Sequence, residues 1–259
     1  MPSFTDQCGH EVILNSIPKR IISLVPSQSE LLWDLGLKEE LVGITKFCIH
    51  PEIMYNRVAR VGGTKKLDLE KIRALKPDLI IGNKEENEKE QIEDLKKEFN
   101  VWMSDIYTVE DALNMIMECG KICGVAEASK SIVLEILNGM EKVRNTFEGK
   151  KCAYLIWKDP YMLAGGYTFI NSVMNWCGLM NVARKEDRYP ETSLEQLRSS
   201  DLEIILLSSE PYPFKEKDFE EIEGITNKKV IRTDGEIWSW YGSRMLRIAD
   251  YVKELKKKI

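Results

Sequence analysis

"LDLEKIRALKPDLII", residues 67–81, recurs in degraded form at 192–206 as "TSLEQLRSSDLEIIL". The offset of 125 residues is close to half of the 259-residue chain. Each copy reads the same way: a residue of helix-capping type, Asp68 or Ser193, then a short helical stretch, then an apolar run of strand type. Leu69, Glu70 and Arg73 of the first copy return as Leu194, Glu195 and Arg198 in the second. A helix-to-strand unit repeated at this spacing predicts two lobes of similar topology.

The flanking sequence extends the pattern in both directions. "RIISLV" (20–25), "LVGIT" (41–45), "DLIIG" (78–82) and "NVWMSD" (100–105) read as strands. They alternate with helices over "PSQSELLWDLGL", "LEKIRALK", "EENEKEQIEDLKKEF" and "VEDALNMIMECGKIC". Ser27 with Glu30 predicts a capping box at the first of these helices, and Gly36 its stop. The second half repeats the order with strands at "KKCAYLIW" (150–157), "MNVA", "LEIILLS" and "KKVIRTD", and a final helix over "GSRMLRIADYVKELKKK". Strands alternating with helices imply parallel sheets covered on both faces.

Between the halves, Ile132, Val133, Ile136, Leu137, Met140, Val143 and Phe147 fall at helical spacing. They predict a helix over 126–147, about 30 Å long. The expected fold is therefore α/β, with two doubly wound Rossmann-like lobes joined by a single long backbone helix. The boundaries are 1–124 for the N-terminal lobe, 125–149 for the connecting helix and 150–259 for the C-terminal lobe.

Composition excludes several classes. The chain carries 37 Lys and Arg against 42 Asp and Glu, a net charge of −5, which does not suit a nucleic-acid partner. No apolar run approaches the ~20 residues of a membrane span. The stretch "MPSFTDQCGHEVILNSIPKR" has neither the basic start nor the apolar core of a signal peptide, so the sequence as it stands reads as cytoplasmic. The six cysteines form no CxxC pair and read as small buried hydrophobes kept reduced. With only His10 and His50 as histidines, no metal site is expected. There is no GxxxxGK[ST] loop, no GxGxxG after a strand and no GxSxG elbow, so no catalytic residues are assigned and the chain reads as a binder rather than an enzyme.

In "RIISLVPSQSELLWDLGL", "VGIT", "LEKIRALKPDLII", the connecting helix and "SLEQLRSSDLEIILL", taken in order, the chain resembles a known family. It is similar to the helical-backbone (class III) periplasmic substrate-binding proteins that deliver vitamin B12, iron siderophores and haem to ABC importers, nearest the cobalamin-binding branch. The resemblance implies a monomer with no intrinsic cofactor, whose ligand is a corrinoid or an iron chelate held in a cleft between the lobes. It also implies a periplasmic or cell-surface location once an export signal has been removed. In this family each lobe docks on arginines of a permease dimer through a surface glutamate. The matching positions are Glu70 and Glu195, which gives the duplication a reason; favourable placement of a carboxylate in a helix's first turn is the competing one. The alternative function is a cytosolic corrinoid or metal-chelate carrier, sensor or cofactor-processing enzyme on the same scaffold.

Ligand contacts are expected on loops at the carboxyl ends of strands. In the first lobe these are Phe47 and His50, the latter as a possible axial nitrogen. In the second they are Trp157, Tyr161, Tyr189, Glu236, Trp238, Trp240 and Tyr241. Alternation along "GEIWSWYGSR" would put Trp238 and Trp240 on one side, where both indoles could meet a flat apolar ligand. Part of the cobalamin-branch pattern is absent: Gly63 or Thr64, and Asn83, stand where tryptophans are expected. Lys46, Lys84, Lys158, Arg184 and Arg188 lie near strand ends and would suit an anionic ligand only if gathered at one site.

Overall fold

The computed structural model describes residues 2–259. It divides into two compact units. The first comprises residues up to Ile106, Glu110–Leu134 and Tyr241–Arg244; the second comprises Tyr107–Val109, Glu135–Trp240 and Met245–Ile259.

The first unit opens with a hairpin, β1 (Ser3–Thr5) and β2 (Glu11–Ile13), which sequence periodicity does not reveal. Then follow β3 (Ile21–Ser23), α1 (Pro26–Asp34), β4 (Leu41–Ile44), α2 (Glu52–Arg57), β5 (Ala59–Arg60), α3 (Leu69–Leu75), β6 (Leu79–Asn83), α4 (Lys89–Lys96), β7 (Val101–Ser104) and α5 (Val109–Ile122). The sheet order is β5-β4-β3-β6-β7, with every pair parallel. The strand sequence runs outward from β3 in both directions, so the topological switch lies at the carboxyl ends of β3 and its neighbours. All five residues of β6 are buried, as a strand covered on both faces requires. Ile22, Ile72, Ile80 and Leu95 are fully buried in one core of this unit.

The capping signals in the repeat are realised. The Asp68 side chain accepts from the Lys71 backbone N–H, and Lys76 closes α3 in the left-handed conformation before Pro77. At α8 (Leu194–Ser199), Ser193 and Gln196 form a reciprocal capping box. The box expected from Ser27 and Glu30 does not form. Val25 is the N-cap of α1, Pro26 occupies its first turn, and no side chain caps the helix. Glu30 is instead drawn away by Arg244, whose Nε and Nη2 donate to its two carboxylate oxygens.

The helix predicted over 126–147 is α6 (Ala126–Lys142) and ends earlier. Backbone N–H groups of Asn145, Phe147 and Gly149 donate to the carbonyls of Trp176, Cys177 and Gly178 rather than to the preceding turn. Pairing with the end of α7 (Phe169–Trp176) therefore competes successfully with another turn of helix.

The second unit contains β8 (Lys151–Trp157), β9 (Tyr161–Leu163), α7, β10 (Met180–Asn181), β11 (Glu191–Thr192), α8, β12 (Ile204–Ser208), α9 (Glu216–Thr226), β13 (Lys229–Thr233), α10 (Gly235–Ser239) and α11 (Ile248–Lys256). Its sheet is mixed. β8, β12, β13 and β10 are parallel, whereas β9 folds back antiparallel on β8 and β11 pairs antiparallel with β9. Ala153, Leu155, Ile205, Leu207 and Ile222 are fully buried in its core. Truncating one such leucine or isoleucine to alanine costs about 2–5 kcal/mol. Each unit is thus an α/β layer structure with its own core.

Candidate functional site

In the first unit, three chain segments converge at the carboxyl ends of β3, β6 and β7, and their polar groups are largely satisfied internally. Gln28 Nε2 donates to Ser104 Oγ at 2.7 Å, and Asn83 Nδ2 donates to the same oxygen at 3.0 Å. Asn87 accepts from the Asn83 N–H at 2.9 Å and donates to the Thr64 carbonyl at 3.0 Å. Tyr241 is buried against this network; burial, the largest influence, pushes the phenol above its usual value, and the nearby Ser27 and Ser104 side chains oppose that shift.

Among the residues that stand outward at this face are apolar ones beside exposed Lys46 and Lys84. Phe47 is 50% exposed, with Lys46 Nζ 5.0 Å from its ring centre. A Cβ at Gly63 would lie 3.2 Å from Phe47 Cε2, so the missing side chain lets the ring rest on the backbone. Ile49 and Ile53 continue the exposed apolar surface beside it. His50 is half-buried, next to Pro51.

In the second unit, β8 delivers Trp157 and Lys158 to its carboxyl end. Trp157 is 39% exposed and meets Tyr212 edge to face at 5.6 Å. Lys158 is committed within the protein. Its ammonium reaches Asp218 at 2.8 Å and Glu221 at 2.7 Å, which hold it protonated well above the usual lysine range. Tyr161 is half-buried beneath it, its hydroxyl 3.4 Å from Glu221. Half-buried Tyr189 follows Arg188, whose guanidinium lies over Tyr107 at 4.9 Å and donates to its hydroxyl at 3.1 Å. Lys84 pairs with Asp105 at 2.6 Å. Of the cations noted near strand ends, Lys84, Lys158 and Arg188 therefore have protein partners.

The "GEIWSWYGSR" stretch is not the extended loop expected from its sequence. Asp234 caps α10 by accepting from the Glu236 and Ile237 N–H groups, and the helical turn replaces strand alternation. Trp238 is rotated inward and is 1% exposed. Its Nε1 donates to Thr233 Oγ1 at 2.6 Å, and its ring meets Tyr154 and Tyr251 edge on. In this structure Trp238 is core and offers no surface to a ligand. Trp240 is 9% exposed, and its Nε1 donates to Glu210 at 2.9 Å. Glu236 is half-buried in the first turn of α10.

Glu210 is a carboxylate that pattern reading overlooked, although a charged residue between the end of β12 and Pro211 was a visible signal. Burial raises its pKa above the usual glutamate value. Hydrogen bonds from Ser239 and Trp240 oppose that, and the nearby charges of Glu236 and Asp234 add to it. Among the described residues no group of three or more His, Cys, Asp or Glu side chains could hold a metal ion. No helix among them is long and apolar enough to cross a membrane.

The repeated glutamates differ in their surroundings. Glu70 is exposed and 3.0 Å from Arg73, which also binds Asp94 and Glu98 at 2.8 Å. Glu195 is exposed, makes no ion pair among the described residues, and borders an open depression lined by Glu191, Thr192, Ser193, Gln196 and Ser199.

Three comparisons bear on this arrangement. A sequence model of the periplasmic binding protein family matches residues 21–235. The vitamin B12-binding protein of Vibrio parahaemolyticus is 27% identical over 200 residues, covering 75% of this chain and 72% of the relative. Among solved structures, a possible iron-binding periplasmic protein of Staphylococcus epidermidis superposes with a TM-score of 0.79 at 20% identity, covering 94% of this chain and 99% of the other. A periplasmic haem-binding protein of Pseudomonas aeruginosa does so with a TM-score of 0.78 at 18% identity, covering 92% of each. At these identities the superpositions establish the fold.

Proposed function

Because the chain belongs to the periplasmic binding protein family, which its match over residues 21–235 shows, we propose that it is the ligand-capturing component of an ABC importer for a corrinoid, haem or iron chelate. The observation that carries this reading is the pair of exposed aromatics, Phe47 and Trp157, each at the carboxyl end of a parallel strand. Exposed rings give little stability to the free protein and suit a flat apolar ligand face. The names of relatives supply the ligand class: vitamin B12 for one and haem for another. Polar groups around Phe47 are mostly paired within the protein, which favours a ligand held by its faces. His50 of the first unit and Tyr189 of the second are half-buried and remain in the proposed contact set, with Tyr161, Glu236, Trp240 and Tyr241.

In this reading the protein works on the outer face of the cytoplasmic membrane, where it meets a permease dimer. Glu70 and Glu195 are the proposed docking anchors, one on each unit. Their exposure supports that role, because an anchor must be reachable by a partner cation.

Spectral titration of the purified protein with dicyanocobinamide, cobalamin, haemin and ferric siderophores tests the proposal. One of them should bind with micromolar or tighter affinity and quench tryptophan fluorescence. Phe47→Ala and Trp157→Ala should each weaken that ligand by roughly tenfold, about 1.4 kcal/mol. Failure of all four ligands to bind removes the reading.

A further inference from the structure

The loop between β9 and α7 carries a further exposed aromatic, in one of the strand-end loops of the second half but outside the contact set assigned above. Tyr167 is 73% exposed, and its backbone has φ +53°. Left-handed backbone disfavours a residue with a bulky side chain, because its Cβ crowds the following carbonyl oxygen. The ring returns nothing for this in the free protein, since Tyr167 makes no side-chain hydrogen bond or ring contact among the described residues.

The neighbours enforce the conformation. Gly165 N–H donates to the Arg188 carbonyl at 2.6 Å, Gly166 N–H to the Glu186 carbonyl at 2.7 Å, and Arg188 N–H to the Gly166 carbonyl at 3.1 Å. A Cβ would come within 2.8 Å of the Glu186 oxygen at Gly165 and 2.5 Å of the Arg184 oxygen at Gly166, so both positions admit only glycine. On the other side, Thr168 Oγ1 donates to the Gly165 carbonyl at 2.8 Å and accepts from the Asn171 N–H, capping α7. Asn181, the last residue of β10, donates to the Ala164 carbonyl at 2.8 Å. The 164–168 loop is thereby stitched to the segment that leaves the carboxyl end of a parallel strand, the end at which sheets of this kind bind ligands.

We propose that Tyr167 is a ligand-stacking residue, its ring held out on a rigid, glycine-packed platform to lie against the face of a flat conjugated macrocycle. The inference rests on the reading of the chain as a macrocycle binder and adds a contact to it. A tyrosine fits this role because it presents a rigid face at small entropic cost and orders only two side-chain torsions.

The test compares wild type with Tyr167→Ala, Tyr167→Gly and Tyr167→Phe by absorbance titration with haemin and with dicyanocobinamide, alongside thermal melts. For whichever macrocycle the wild type binds, the Ala and Gly variants should be weaker by about tenfold or more, and the Phe variant within about threefold. Tyr167→Gly should melt at or above the wild-type temperature, because glycine accepts the left-handed backbone. Three results would overturn the proposal alone: unchanged affinity in the Ala variant, a Phe variant as weak as Ala, or a clear drop in melting temperature for Gly. Wild type that binds neither macrocycle overturns it together with the functional reading.

Discussion

Arg244 grips Glu30 through Nε and Nη2 at 2.7 and 2.8 Å, across 214 residues of sequence, and each side chain is 4% exposed. Two parallel N–H···O bonds match guanidinium to carboxylate, a geometry that lysine cannot reproduce. Removing one partner strands a buried charge, so Glu30→Met or Arg244→Met alone should destabilise by about 3–5 kcal/mol in urea unfolding. Replacing both by methionine should recover most of that loss. A double variant no better than either single one would mean that the pair's value lies in other contacts of these residues.

Glu210 should make stability depend on pH in an unusual direction. Its raised pKa means that the folded protein holds this proton to higher pH than the unfolded chain does. Between the unfolded and folded values folding takes up a proton, so stability from this group falls as pH rises through that window. Glu210→Gln keeps an acceptor oxygen for Ser239 and Trp240 but removes the charge. It should be more stable than wild type at about pH 7, and the advantage should shrink toward about pH 4. Equal pH profiles for the two proteins would refute the assignment.

The thiols should be nearly inert. Burial pushes Cys123, Cys152 and Cys177 up to about 12 and Cys119 well above its usual value; Cys48 is raised in the same way. Cys8, half-buried, is raised by burial and then by Asp6 and Asp105. A disulfide-exchange reagent at neutral pH should label Cys8 slowly and the others only on unfolding, when all six react. Rapid native labelling of a second thiol would contradict this.

Trp238→Ala should behave as a core truncation. It removes a 1% exposed indole from Tyr154, Tyr251 and Thr233, and should cost about 3–5 kcal/mol. Ligand affinity of the fraction that remains folded should be unchanged. Loss of affinity with stability intact would return Trp238 to the binding surface.

Permease docking is tested by charge reversal. Exchanging Glu70 and Glu195 together for lysine should abolish ligand delivery to permease-containing vesicles while ligand affinity stays the same. Because Arg73 already competes for Glu70, the Glu195→Lys change should be the more damaging of the two single exchanges. Normal delivery by the double variant would leave the glutamates as partners of the helix dipole only.

The sequence was most legible where local rules decide the outcome. Asp68 and Ser193 cap their helices, and the apolar runs after them become central parallel strands. It was least legible where a distant partner outbids a local one. Ser27 and Glu30 have capping-box spacing, yet Arg244 takes the glutamate. Val143 and Phe147 continue the apolar stripe of α6, but backbone pairing with the end of α7 breaks the helix before them. Among the site residues, Phe47 and Trp157 are exposed at strand ends as expected from position alone. Trp238 shares their chemistry and loop context, but a single capping aspartate turns the segment helical and buries it. Short β9 and β11 carry too few residues for a period-2 signal, so the mixed edge of the second sheet was not readable.

The N-terminal unit counts Tyr241–Arg244 among its own residues, and this has a consequence for biosynthesis. Arg244 comes 140 residues after Ser104, the last residue of β7. A ribosome that has finished β3 to β7 and their helices has made most of that unit but not the guanidinium that neutralises Glu30. Gly242, with φ +104° and a Cβ position only 3.1 Å from the Ser27 carbonyl oxygen, is equally late. The nascent chain therefore cannot complete its first unit vectorially. It reaches the native arrangement only after the strands of the second unit have also been made, and a chain cut before Tyr241 would leave both units unfinished rather than one.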